Sequence, residues 1–585
     1  MAERRVSLFG RVSLLGRVSL FDRVSSFIRA SFSAAGRGNG AGAGGDDIDG
    51  GRPVVTRVTT GLAGLLVLVA LIAPDRISHL TPGAFVRIPV EALLAVPLLL
   101  VLPPAVRRVA AVVGGVILGL LTIVKVVDMG FYAVLARPFD LVLDWGLFAD
   151  AVRFLTGSIG RAGAIGAVLA AAVLAAAVLV LMTLAVLRLT GLVARRTTTA
   201  IPAVTVLGVV WITCAALGAQ LVPGLPVAAR SDASLIYHRA LQVRAGLHDR
   251  QAFAAEAAVD AFGDTPDEKL LTGLRGKDVI VSFVESYGRD AVEDPALAPQ
   301  VDAVLDEGTR RLKAAGFASR SAFLTSSTAG GGSWLAHATF HSGLWINNQQ
   351  RYRSLVASDR LTLSRAFRRA GWRTVGVEPG TTYAWPEGAF YGYDRIYDAH
   401  HLGYRGPHFS WSTMPDQYAL SAFERFEGGK RDRGPLMAEI TLTSSHNPWT
   451  PVPRLIDWKD VGDGSVFGPM AAAGDPPGVV WRDRARVRTQ YRRSIEYSLG
   501  SLISYVETYG DDDLVLVFLG DHQPAPIVTG ADAGRDVPVT IVARDPAVLD
   551  RISGWGWQDG LNPGPHAPVW RMDAFRDRFL TAFAR

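Results

Sequence analysis

Four polar side chains stand where short apolar runs stop and a fifth follows a glycine turn, and their types could hold a divalent cation beside a nucleophile. Glu285 follows VIVSFV, His446 follows EITLTSS, and Asp521 and His522 follow LVLVFLG. Between the first two runs, STAGGGSW brings Ser333 out of three glycines and into the helix-like LAHATFHSGL. Two carboxylates with an imidazole form a hard, oxygen-rich donor set that suits Mn²⁺, Mg²⁺ or Zn²⁺. A cation there would lower the pKa of a neighbouring hydroxyl and make it a nucleophile at neutral pH. Free backbone N–H groups at a helix start would face an anionic substrate. Each piece also has an ordinary explanation: Glu285 as a helix cap, GGGS as a flexible linker, His446 before Asn447-Pro448 as a turn residue. Their joint arrangement, each at the end of a run and in chain order, is what points to chemistry.

Such side chains need elements to bring them to one edge. From residue 277 to the end, short apolar runs alternate with helical patterns. The runs are DVIVSFV (278–284), TVGV (374–377), LMAEITL (436–442), LVLVFL (514–519) and PVTIVA (538–543). The helical patterns include LTLSRAFRRAG (361–371) and a long stretch over 484–509. Apolar strands separated by helices predict an α/β domain over 277–585 with a mostly parallel sheet covered on both faces. Parallel sheets bind ligands beyond the carboxyl ends of their strands, where the five residues fall. Residues 223–276 read as a connector with helical periodicity (LIYHRALQVRAGL).

The first part of the chain is of a different kind. The 585 residues are 49% hydrophobic, and the longest uncharged runs all precede about residue 230. Five membrane spans are expected, near Val54–Ala73, Ile88–Val106, Val109–Val127, Ala162–Leu187 and Thr198–Val222, each near the roughly 20 residues a bilayer needs. Arg107-Arg108 and Arg188/Arg195-Arg196 alternate with loops holding Asp75, Asp140, Asp144 and Asp150. The positive-inside rule then puts the N-terminus in the cytoplasm and everything after the fifth span outside. The loop over 137–159 is amphipathic and is expected on the outer membrane surface. Glu91, Lys125 and Asp128 lie near span ends, where snorkelling to the interface explains them. Residues 1–53 form a basic cytoplasmic tail that begins with a six-residue repeat (RVSLFG, RVSLLG, RVSLFD) and reads as disordered. The net charge of +6 owes much to this tail, and no basic stripe with interleaved aromatics suggests nucleic acid. A single cysteine, Cys214, excludes an intramolecular disulfide and a Cys-based metal site.

Taken together, strand-Glu285-Ser286, Gly331-Gly332-Ser333 opening a helix, Thr443-Ser444-Ser445-His446-Asn447-Pro448 and strand-Gly520-Asp521-His522 resemble the alkaline phosphatase/sulfatase superfamily. The likeness is to its membrane-bound branch, the lipoteichoic acid synthases and related phosphoglycerol transferases, in which five spans precede an extracytoplasmic sulfatase-like domain. The resemblance implies one ion, usually manganese, held by Glu285, Ser333, Asp521 and His522. It implies that Ser333, where the family usually has Thr, is the nucleophile in preference to Ser327 or Thr328. It also implies that His446 contacts the transferred phosphoryl group and that Trp385 binds the headgroup. Ser333 is followed by Trp334-Leu335-Ala336-His337, which lacks the Pro and Arg that formylglycine formation needs, so direct hydroxyl attack is expected. Glu378 and Glu387 stand where the family carries a His and an Arg; carboxylates there repel a phosphate and favour hydroxyls or a cationic group. The activity implied is transfer of a lipid-derived, phosphoglycerol-like headgroup from a membrane lipid donor to a cell-envelope polymer through a seryl intermediate. The setting implied is a bacterial plasma membrane. Hydrolysis of a phosphodiester, or a non-enzymatic membrane scaffold, are the competing readings.

Overall fold

A computed structural model describes residues 51–222, 224–430, 432–530 and 532–584; the hexad-repeat tail expected over 1–53 lies outside them except for its last three residues. Met1–Gly61 makes one unit, helical where it is described, and Leu62–Arg585 makes a second. Five apolar helices come first: α1 (Gly51–Ile72), α2 (Val90–Val101), α3 (Pro104–Leu135), α4 (Trp145–Arg195) and α5 (Thr197–Ala216). Among the described residues, four stretches are long and apolar enough to cross a bilayer: Val54–Ile72, Pro104–Leu135, Gly160–Arg195 and Thr197–Ala216. Large apolar side chains point outward along them, with Val173 69% and Ile212 63% exposed. A bilayer is the solvent that makes such exposure favourable.

The span expected over Ile88–Val106 holds the 12-residue helix α2, about 18 Å at 1.5 Å per residue, against roughly 30 Å of hydrocarbon. α2 is capped by Leu102, and α3 begins at Pro104, a first helical position that suits proline. The next expected span is the middle of α3, which has 32 residues. Five expected spans thus become four long helices and one short one. In α4, Gly160 has non-helical angles (φ 75°, ψ 165°), which separate the amphipathic 145–159 stretch from the apolar run after it.

Lys125 and Asp128 of α3 do not snorkel. Both are buried and paired with the connector helix α6 (Ser231–Ala257). Lys125 Nζ lies 2.5 Å from Asp232 Oδ1 and donates to the Ala70 carbonyl at 2.7 Å. Asp128 pairs with Arg239 and accepts from the Phe139 amide at 2.9 Å. Glu91 Oε1 accepts from the Asp232 and Ala233 amides at 3.1 and 3.0 Å, two donors that the helix start leaves unsatisfied.

The C-terminal part is built on a nine-stranded sheet. In chain order its strands are β1 (Asp278–Val284), β2 (Ala318–Thr325), β3 (Arg373–Glu378), β4 (Arg395–Asp398), β5 (Leu436–Leu442), β6 (Leu514–Gly520), β7 (Asp536–Ala543), β8 (Gln558–Asp559) and β9 (Val569–Arg571). Their spatial order is β8-β2-β7-β6-β1-β5-β3-β4, with β9 also paired to β2. The run β6-β1-β5-β3-β4 is parallel, as continuous apolar strands suggest. β7 runs antiparallel to both β6 and β2, so the sheet is mixed. One hydrophobic cluster covers each face; Val284, Leu442 and Leu499 belong to one, and Val281, Phe340 and Leu519 to the other.

Candidate active site

Parallel neighbours β5, β1 and β6 end side by side, with Leu442 beside Val284 and Val284 beside Gly520. The next residues therefore emerge together. Gly520 must be glycine, because a Cβ there would sit 1.8 Å from the Tyr287 carbonyl oxygen. This tight approach sets Asp521 against the turn that follows β1. Ser286 takes a left-handed φ of 58°, a conformation that costs a non-glycine residue roughly 1–2 kcal/mol. The Ser286 amide, so turned, donates to Asp521 Oδ1 at 2.7 Å, as does the His522 amide.

The donor set is compact and dry. Glu285 is 4% exposed, and Asp521 and His522 are fully buried; one ligand atom from each of the three lies within 4.8 Å of the others. His522 Nδ1 lies 2.8 Å from the Gln523 carbonyl, which turns Nε2 toward the cluster. That Nε2 is 3.3 Å from Glu285 Oε1 and 3.6 Å from Asp521 Oδ2. Asp521 Oδ2 is buried without a hydrogen-bond partner. Burial, then the Glu285 charge, push Asp521 up to about 7, while Asp521 and Glu285 outweigh burial and push His522 up to about 9. Two buried carboxylates with an orphaned oxygen and an open imidazole nitrogen fit a divalent cation by chemistry and by charge.

Ser333 opens helix α7 (Ser333–Ser342) after Gly332, whose φ is 83°. Its hydroxyl donates to Glu285 Oε2 at 2.9 Å and lies 3.2 Å from His522 Nε2. The Ser327 and Thr328 hydroxyls of the loop are turned away. Thr328 Oγ1 donates to the Gly331 carbonyl at 2.5 Å, and buried Ser327 accepts from Thr339 Oγ1 at 2.9 Å. His446 enters from the loop after β5. Its Nδ1 sits 2.5 Å from the Asn447 carbonyl, and its ring stacks on Trp411 at 3.5 Å between centroids. Burial lowers its pKa, against the pull of Glu285, so its imidazole is neutral near pH 7.

The remaining expected residues are less gathered. Glu378 ends β3, is buried, and accepts from Thr441 Oγ1 at 3.0 Å, while Oε1 has no partner. Burial and the neighbouring Glu439 charge push it up to about 8. Trp385 is half-buried against Tyr391, 5.4 Å between centroids. Glu387 is exposed, just ahead of the short helix Gly388–Tyr391.

One group escaped the sequence reading. Glu439, in the middle of β5, lies 3.0 Å from His337 Nδ1 and 2.6 Å from His341 Nε2, and also accepts from the Tyr393 hydroxyl. Burial pushes this carboxyl up, but the two imidazoles together hold it well below the usual range. His337 and His341 are four and eight residues after Ser333 and so share its helix face. Their i, i+4 spacing in LAHATFHSGL was the available signal.

No family model and no curated protein matches the chain. Solved structures overlap it partially. A lipoteichoic acid synthase from Listeria monocytogenes is similar at 15% identity and a TM-score of 0.35, over 54% of this chain and 73% of that one. A Streptococcus pyogenes phosphoglycerol transferase in complex with sn-glycerol-1-phosphate is similar at 11% identity and a TM-score of 0.32, over 57% and 91%. The C-terminal periplasmic domain of an Escherichia coli protein, also solved with Zn, is similar at 12% identity and a TM-score of 0.31, over 46% and 73%. At such identities and scores, the case for chemistry rests on the geometry around Ser333.

Proposed function

We propose that the protein is a membrane-bound, metal-dependent phosphoryl-group transferase. It moves a lipid-derived, phosphoglycerol-like headgroup from a membrane lipid to a cell-envelope polymer through a seryl intermediate. The observation that carries this reading is Ser333 Oγ, 2.9 Å from Glu285 Oε2 and 3.2 Å from His522 Nε2 at the start of a helix. Glu285, Asp521 and His522, with the Ser333 oxygen, would hold one divalent ion, Mn²⁺ for preference and Mg²⁺ or Zn²⁺ as alternatives. When bound, the ion supplies charge stabilisation for the phosphoryl oxygens and a lower pKa for the hydroxyl.

The residues then divide the work. Ser333 Oγ attacks phosphorus, the bond from phosphorus to the lipid alcohol breaks, and the Ser333 proton passes toward Glu285 Oε2. The departing alcohol takes its proton from water, because neutral His446 keeps its own on Nδ1 against the Asn447 carbonyl and offers Nε2 as an acceptor. In the second half, neutral His446 accepts the proton of the acceptor hydroxyl as that oxygen attacks phosphorus and releases Ser333. Trp385 would flank the headgroup, Glu387 would select against a second phosphate on it, and Glu378, protonated near neutral pH, would offer a hydrogen bond to a headgroup hydroxyl. The N-terminus is assigned to the cytoplasm, and the part after α5 to the outer face of a bacterial plasma membrane, on the charge pattern alone. In this account 1–53 is the tail, 54–222 the membrane domain, 223–276 the connector and 277–585 the catalytic domain.

The test is headgroup release by the full-length protein in phosphatidylglycerol-containing nanodiscs. Chelation should abolish it and Mn²⁺ restore it, and Ser333→Ala should lower it about a thousandfold or more. Full activity after exhaustive chelation would contradict the reading. Release that an acceptor glycan leaves unchanged would establish a hydrolase instead.

A further inference from the structure

The loop that delivers Ser333 rests on two supports. One is the segment that carries Asp521 and His522. Ser326 Oγ donates to the Asp521 carbonyl at 2.6 Å, and the Gly330 amide donates to the Gln523 carbonyl at 2.8 Å. The other is the end of membrane helix α3. A Cβ on Gly330 would lie 2.1 Å from the Val134 carbonyl oxygen, and one on Gly331 would lie 3.3 Å from Leu135 Cδ2. Backbone carbonyls therefore close on Gly330 from both supports, and neither can swing aside as a long side chain can. Gly330 also takes a left-handed φ of 75°, so only glycine fits the gap without strain.

The contact extends to both flanks of the loop. The short helix Pro526–Thr529, which follows His522 in the chain, packs against α3 as well. On the other flank, Trp334 Nε1 donates to Gln349 Oε1 at 2.9 Å. A Cβ on Gly146, in the first turn of α4, would lie 2.8 Å from the Arg353 guanidinium and 3.8 Å from the Gln349 side chain. The end of α3 is itself held. Ala136 closes the helix in a left-handed conformation, and Arg137 pairs with the buried Asp144 at 2.5 and 2.8 Å. Asp128, about two turns earlier, pairs with Arg239. An end fixed on both sides can set the position of what rests on it.

We propose that the end of α3 is a positioning element for the nucleophile. Val134, through its carbonyl, and Leu135, through its side chain, press the Gly330–Gly331 turn onto the Gln523 segment. That seating sets Ser333 Oγ against Glu285 and His522. The proposed cation ligands do not need it, since Glu285, Asp521 and His522 follow directly from β1 and β6. Turnover does, because a displacement of about 1 Å at a reacting atom costs roughly a hundredfold in rate. The inference rests on Ser333 as the nucleophile, and goes beyond it by making a membrane helix part of the reaction centre.

The experiment compares the full-length protein with Leu135→Ala in phosphatidylglycerol-containing nanodiscs with Mn²⁺. Leu135 is half-buried, and its truncation spares both carbonyls. A fluorophosphonate reports on Ser333 whatever the natural headgroup, and its labelling rate is read by mass spectrometry. Labelling should slow by about tenfold or more, with amide exchange raised over 326–333 and unchanged in β1 and β6. Mn²⁺ affinity should hold, and Leu135→Met, which conserves volume, should restore the rate. Leu135→Val, a smaller truncation, decides the matter should Leu135→Ala not fold. Unchanged labelling would overturn the proposal, as would an equal loss of Mn²⁺ affinity, which would mean a general loosening of the site. A wild type unlabelled at Ser333 would overturn it together with the nucleophile. Slowed labelling in a protein whose wild type releases no headgroup would uphold the seating and refute the transferase reading alone.

Discussion

Asp416 shows how a buried carboxyl beside the site can be tested by its own titration. It sits under the His446 loop, accepting from the Ser444 amide at 2.9 Å and from Ser498 Oγ at 2.6 Å. Burial pushes its pKa up to about 6, against about 3.9 in an unfolded chain. Between those values the folded protein holds a proton that the unfolded chain has lost, so raising the pH destabilises the fold. The penalty is absent below about pH 4 and complete above about pH 6, on the order of 3 kcal/mol. Relative to Asp416→Asn, the wild type should lose stability by that order between pH 4 and 7, read as a shrinking difference in thermal midpoints. Parallel pH profiles for the two proteins would show that Asp416 ionises without cost. Glu285, His446, Asp521 and His522 could be picked from sequence because each follows an apolar run, and Ser333 because it follows a glycine turn. Glu439 could not: a lone Glu inside LMAEITL gives no hint that two imidazoles from a distant helix will neutralise it.

Helix α7 carries Ser333, the proposed nucleophile, and its seating rests on that Glu439. Breaking a buried charge cluster by removing one partner costs about 3–5 kcal/mol. Glu439→Gln should therefore lower the thermal midpoint and reduce kcat, because Ser333 would be set differently against Glu285. KM should change little, since no headgroup contact is assigned to Glu439. An unchanged kcat with a lowered midpoint would limit the cluster to a structural role. The same scale shows which elements were legible. β1, β5 and β6 are buried on both faces and read as uninterrupted apolar runs, so their positions and the residues after them were found. β2, ASRSAFLT, pairs in the sheet through residues such as Ser321, whose hydroxyl lies 2.9 Å from Thr540 Oγ1, and its polar alternation hid it. β7 was found as a strand but its direction was not, since burial on both faces looks alike in parallel and antiparallel neighbours.

On the scale of the whole molecule, buried ion pairs tie the membrane helices to the connector, a link that short-range pattern reading took for interfacial charges. Asp128→Arg or Arg239→Asp alone leaves an uncompensated buried charge and should cost about 3–5 kcal/mol. The swapped double variant should recover part of that loss in a double-mutant cycle of thermal midpoints. Additive losses would show that the pair does not act as a unit. In the proposed function, Ser333 meets the phosphodiester of a membrane lipid. The most direct test of that claim is to trap the intermediate. The full-length protein is incubated with phosphatidylglycerol and Mn²⁺ without acceptor, quenched in acid, and its peptides are read by mass spectrometry. A phosphoglyceryl group on Ser333, lost after chelation and absent from Ser333→Ala, is the expected result. An adduct on Ser327 or Thr328, or undiminished turnover by Ser333→Ala, would contradict the account.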